Sequence, residues 1–94
     1  MKVIKLSKAG DNKHKYIVTI DVDGKEKNIK FGAYGMEDFT IHGDDGRKEL
    51  YINRHKKNEN WNDPLTAGFW SRWLLWNKPT IKASMADIKK RFNI

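Results

Sequence analysis

Alternation with a period of two marks the first third of the chain. Over residues 15–22, Tyr16, Val18, Ile20 and Val22 fall on one side of a strand, with Ile17, Thr19 and Asp21 on the other. Asp23-Gly24 follows, a pair suited to a type I′ hairpin because both central positions need positive φ. Residues 25–31 return as a strand with Lys27, Ile29 and Phe31 in alternation, and residues 3–7 form a short strand before the turn cluster Ala9-Gly10-Asp11-Asn12. Three such strands with one apolar face need helices to cover them.

The period changes after Phe31. Gly32, Gly35 and Gly43 punctuate the chain, and Phe39-Thr40-Ile41-His42 reads as a short extended piece. A helix is expected from Asp44 or Asp45 through Leu50, Tyr51 and Ile52 toward Lys57, acidic at its start and basic at its end, as the helix dipole favours. Asn62-Asp63-Pro64 reads as the next helix start, with Thr66 as an alternative cap. Phe69, Trp73 and Trp76 then recur at helical spacing until Asn77-Lys78-Pro79 closes the helix. Ser84-Met85-Ala86-Asp87 resembles a capping box and opens a last helix striped by Met85, Ile88 and Phe92.

These elements predict a single α+β domain over residues 1–94. It is a three-stranded antiparallel β-meander in residues 1–31 and about three helices in residues 44–94, packed on one face. The expected core is Tyr16, Val18, Ile20, Ile29, Phe31, Leu50, Phe69, Trp73, Trp76, Ile88 and Phe92. Trp61, before the proline, and Trp70, one step around the helix, are the better surface candidates.

Composition narrows the chemistry. The chain is 38% hydrophobic and 33% charged, too apolar for general disorder, and it has no cysteine for a disulfide or a thiolate metal site. The first residues hold no apolar run long enough for a signal peptide, so a secreted protein is not expected. Trp73-Leu74-Leu75-Trp76 is far shorter than a membrane span, so no transmembrane segment is expected either.

A net charge of +7 points to an anionic partner. The charge is uneven. Glu37, Asp38, Asp44 and Asp45 form an acidic belt in residues 31–46, and most of the excess positive charge lies in residues 47–94. Arg54, His55, Lys56 and Lys57 at one helix end, and Lys89, Lys90 and Arg91 at another, are candidate phosphate contacts, with Arg72 between them. Trp61 and Trp70 are the candidate stacking or interface residues. Solvated helix ends and a tryptophan core are the plainer explanation of the same residues.

Other chemistry finds little footing. His42-Gly43-Asp44-Asp45 is the only set that suggests divalent-metal ligands, and its spacing fits no metal motif. Ser71 lies mid-helix without the sharp turn a nucleophile needs, and no glycine-rich phosphate loop is present. The tryptophan helix carries only Arg72 as an internal cation, which suits an anionic membrane surface poorly. A non-enzyme without cofactor or small-molecule substrate is therefore expected.

Five runs carry a resemblance. They are Phe31-Gly32-Ala33, Glu37 to His42, Tyr51 to Lys57, Thr66 to Thr80, and Ile88-Lys89-Lys90-Arg91-Phe92. Across roughly residues 28–94 the chain resembles a family of small basic proteins encoded by nucleocytoplasmic large DNA viruses, the giant viruses of algae and amoebae. The tryptophan-rich run is the most distinctive part, and the N-terminal strands lie outside the resemblance. The resemblance implies a viral source and a virion or viral-factory location. It brings no assigned function and no catalytic residues. The leading expectation is thus a non-enzymatic, largely sequence-independent DNA-binding protein that packages or organises a viral genome. The rival expectation is a small structural virion protein, or an interaction module that joins viral structural proteins or copies of itself through acidic and basic patches.

Overall fold

The computed structural model describes residues 1–94. Three strands, β1 (Lys2–Lys8), β2 (His14–Val22) and β3 (Lys25–Ala33), form an antiparallel sheet in the order β1-β2-β3. Asp23 and Gly24 both take positive φ, 54° and 84°, as the hairpin requires, and the Asp21 carboxylate accepts from the Gly24 N–H. Val3 lies opposite Ile20, Leu6 opposite Val18, and Tyr16 opposite Phe31, so the apolar residues of all three strands share one face. A bulge between Val3 and Lys5 leaves Ile4 outside the β1–β2 pairing.

Four helices follow: α1 (Phe39–His42), α2 (Asp45–His55), α3 (Ala67–Trp70) and α4 (Ile81–Phe92). Residues 39–42 are helical rather than extended. Asp38 caps this single turn by accepting from the Thr40 N–H and hydroxyl, and Gly43 at φ 62° ends it. Asp44 caps α2 through the N–H groups of Gly46 and Arg47. The inward side of α2 is Lys48, Tyr51, Ile52 and His55, while Leu50 is 62% exposed. Leu50 therefore leaves the expected core and Tyr51 enters it.

Thr66 is the cap of α3, its hydroxyl accepting from the Phe69 N–H at 3.2 Å. Residues 62–64 belong to the turn before it. The helix then widens into a π segment (Ser71–Leu75), closed by the Trp76 N–H on the Ser71 carbonyl at 3.1 Å. The wider turn changes which side chains face inward. Trp70, Leu74 and Leu75 are buried, and Trp73 and Trp76 are only partly so. The surface assignment of Trp70 fails because its ring packs on Phe31 of the sheet: it is fully buried, and its indole N–H donates to the Pro64 carbonyl at 2.7 Å.

Helix α4 begins one turn earlier than its sequence pattern suggests. Thr80 is the cap, accepting from the Ala83 N–H. Ser84 is buried in the helix and its hydroxyl accepts from the Lys78 N–H at 3.0 Å. Asp87 accepts from the Asn77 amide at 2.7 Å. The apparent capping box thus ties the preceding loop to the helix.

Val3, Val18, Ile20 and Phe31 from the sheet meet Phe69, Trp70, Leu74, Leu75 and Ile88 in one core. Tyr16, Ile29, Trp73, Trp76 and Phe92 pack around it, partly buried. No helix is long and apolar enough to cross a membrane.

Candidate nucleic-acid interface

The two basic clusters sit at the C-terminal ends of α2 and α4, where exposed carbonyls favour cations. A continuous stack of rings and guanidinium groups joins these ends. His55 lies on Tyr51 with ring centres 4.4 Å apart, and Trp61 is within 13° of parallel to Tyr51 with ring centres 6.4 Å apart. The Arg72 guanidinium lies 5.5 Å over Trp61 and 4.3 Å over Trp73. Arg91 approaches Trp73 at 4.6 Å, completing the path from α2 to α4. Trp76 backs the stack, nearly parallel to Tyr51 with ring centres 4.6 Å apart, and the Trp73 indole N–H donates to the Trp61 carbonyl at 2.8 Å.

The cations differ in what they can reach. Arg54, Lys56, Lys57, Lys89 and Lys90 are exposed, and none is in ion-pair contact with a carboxylate. Arg91 is exposed and bonds Asp87 at 3.2 Å. His55 is half-buried, with its Nδ1 3.7 Å from Glu59. Lys89, Lys90 and Arg91 are consecutive on a helix, so they point about 100° apart and cannot all meet one surface. Arg91 turns to the aromatic stack, while Lys89 lines a hollow beside β1.

Arg72 is internal. Its Nη1 donates to the Trp76 carbonyl at 2.6 Å, its Nε is buried without a partner, and no carboxylate pairs with it. Burial pulls its pKa down, and Arg91 adds repulsion. The expected direct phosphate contact through Arg72 is replaced by a strut between two tryptophans. Trp61 is also committed, half-buried between Tyr51 and Arg72.

Lys48 escaped the sequence reading. Its ammonium donates to the Asn77 carbonyl at 2.7 Å and lies 4.9 Å over Phe39. Burial lowers its pKa, with Arg72 as the next cause. Its place opposite the Asn77 loop leaves no signal in local sequence. His42 and Asp44 serve the backbone: the Asp44 N–H donates to His42 Nδ1, and Asp44 caps α2. Nowhere do three or more His, Asp or Glu side chains gather as metal ligands would.

Fold and site together define a small basic α+β domain whose aromatic stack sets two cationic helix ends in fixed relation. The chain matches the model of a family of unknown function (DUF5754) over residues 4–55, more than half its length, and belongs to that family. The matched region takes in the meander, α1 and α2, and stops before the tryptophan-rich run. No curated protein and no solved structure matches the chain.

Proposed function

We propose that this protein binds duplex DNA through its phosphate backbone, without enzymatic activity, and organises or packages the genome of a large DNA virus in the virion or viral factory. The observation that carries the reading is the stack from His55 to Arg91. It fixes two helix ends whose exposed Arg54, Lys56, Lys57 and Lys90 have no carboxylate partner. Such cations release condensed counterions when they meet phosphates, which gives affinity without sequence preference. The inward-turned tryptophans leave little free ring for unpaired bases, which favours duplex over single strand.

The test is fluorescence anisotropy of labelled duplex and single-stranded DNA across a salt series, with nuclease-treated protein. Micromolar or tighter binding is expected, with log affinity falling by ~0.9 per contacted phosphate for each log unit of salt. Lys56→Glu with Lys57→Glu should weaken binding to all sequences alike. Absence of binding at low salt sinks the reading.

A second reading, an interaction module of the virion, rests on a different surface. Tyr34, Met36, Ile41 and Leu50 are each at least 60% exposed. Met36 shares one hollow with Tyr34 and Ile41 and a second with Leu50. Clustered exposed apolar residues mark protein contacts. Sedimentation of nucleic-acid-free protein separates the readings, because only this one requires oligomers or protein partners without DNA.

A further inference from the structure

We infer that the groove between β1 and α4 accepts an extended segment of a partner protein that alternates apolar and acidic residues, added to the sheet as a fourth strand beside β1. β1 is an edge strand with a single ladder partner, so its outward N–H and C=O groups face no other strand. A hollow of about 480 Å³ runs along it, lined by residues 3–6 of β1 in succession. Successive strand residues point to opposite faces, so a hollow touching four in a row takes in the strand's edge. The opposite wall is Ile81, Lys82, Met85, Ala86 and Lys89, which at i, i+1, i+4, i+5 and i+8 form one stripe of α4. An edge strand facing a helix across an apolar groove is the arrangement that captures extended peptides by strand addition.

The bulge adds to the fit. Ile4, outside the β1–β2 pairing and 47% exposed, lies in this groove with Ile81 and Met85, so apolar side chains of the incoming strand have partners on both walls. The charge identifies the occupant. Lys5, Lys82 and Lys89 line the groove without a carboxylate, and Lys2 and Lys8 flank it on β1. None of the five is in an ion pair. A second β1 would bring the same lysines against these, so pairing between copies is repelled while an acidic strand is attracted. The site is separate from the proposed DNA contacts, which lie at the α2 end and at Lys90.

The experiment is an NMR titration of the full chain with an acetylated, amidated heptapeptide alternating Glu and Val, with a Lys–Val alternation as control. The expected result is shift changes and slowed amide exchange confined to β1 and the groove stripe of α4, with the acidic peptide only. Met85→Glu should weaken binding at least about tenfold, as should Lys82→Glu with Lys89→Glu. The double variant lies at exposed positions and keeps the test decisive if the Met85 variant fails to fold. Lys56→Glu with Lys57→Glu should leave peptide affinity unchanged while weakening DNA, so the two proposals fail separately. No response on β1, or equal binding of the basic peptide, overturns the inference. So does a peptide-free dimer with β1 already protected, or binding of phosphatidylserine vesicles in place of the peptide.

Discussion

Arg72 holds its guanidinium 4.3 Å from the centre of the Trp73 ring, and no carboxylate neutralises it. The ring faces of Trp73 and Trp61 take the place of a counter-ion, and the Trp76 carbonyl accepts one N–H. A desolvated cation–π contact is worth ~2 kcal/mol, more than an exposed salt bridge. Arg72→Ala should therefore cost about 2–4 kcal/mol in urea unfolding, from the lost contact, the lost hydrogen bond and the void. Arg72→Lys should recover only part, because an ammonium cannot lie flat between two rings. The salt slope of DNA binding should stay as in the parent, since Arg72 is not counted among the phosphate contacts. A stable Arg72→Ala protein with a shallower slope would return Arg72 to the interface.

Two substitutions diverge from what the sequence pattern suggests. Trp70 is fully buried and Leu50 is 62% exposed. Trp70→Ala should cost ~3–5 kcal/mol and Leu50→Ala less than about 0.5 kcal/mol, read from denaturant midpoints. Similar costs for the two would contradict this packing.

The meander was legible because each strand carries its own alternation and its own turn. Tyr16, Val18 and Ile20 need no distant information to be assigned to one face. Helix ends were less legible. Thr80 and Ser84 are both plausible caps in sequence, and the choice depends on Ser84 being drawn inward to bond Lys78. Helical spacing alone does not place Trp70, because neighbouring Phe69 and Trp70 are both buried, one against Phe92 and the other against Phe31. Of the candidate residues, Arg54, Lys56, Lys57, Lys89, Lys90 and Arg91 are exposed at helix ends, as charge runs usually are, whereas Arg72 is partly buried. Its burial depends on Trp61, which lies outside its helix and meets it only through the tertiary fold.

Gly32 offers a test of how tightly the sheet meets the π segment. Its φ is +79°, and a Cβ there would sit 2.8 Å from Leu75 Cδ1 and 3.2 Å from Lys15 Cβ. Gly35 has a similar φ of +81° with nothing within 4 Å. Gly35→Ala should cost ~1 kcal/mol, from the left-handed backbone alone. Gly32→Ala should cost that and a further ~1–3 kcal/mol for overpacking. Equal thermal midpoints for the two variants would show that Leu75 has room to move.

The Asn77–Asp87 contact makes acid stability depend on a loop. The Asn77 amide is the main cause holding the Asp87 carboxyl below the usual carboxylate range, with Arg91 assisting and partial burial opposing. A carboxyl lowered in the fold stabilises above its unfolded pKa, and that contribution is lost as pH falls through the folded value. Asn77→Ala should therefore destabilise at about pH 6 and differ less from the parent at about pH 2. A pH-independent difference in urea midpoints would mean that Asn77 acts only through packing.

Tyr51 sets the alkaline limit. Burial, aided by Glu59 and opposed by Arg72, pushes its phenol from an ordinary value near 10 up to about 12. Between those values the unfolded chain releases the phenolic proton and the folded chain keeps it, so stability falls as pH rises from about 10. The loss should reach on the order of 2 kcal/mol by about pH 12. Tyr51→Phe keeps the ring that stacks on Trp76 and His55 and removes the titration. The difference between the two proteins' stability curves isolates Tyr51 from every other titrating group. The parent should lose ground to the variant only above about pH 10, and the late-titrating phenolate absorbance of the parent should be absent from the variant. Parallel curves would place the Tyr51 hydroxyl in contact with water, and the stack would then be open at the α2 end.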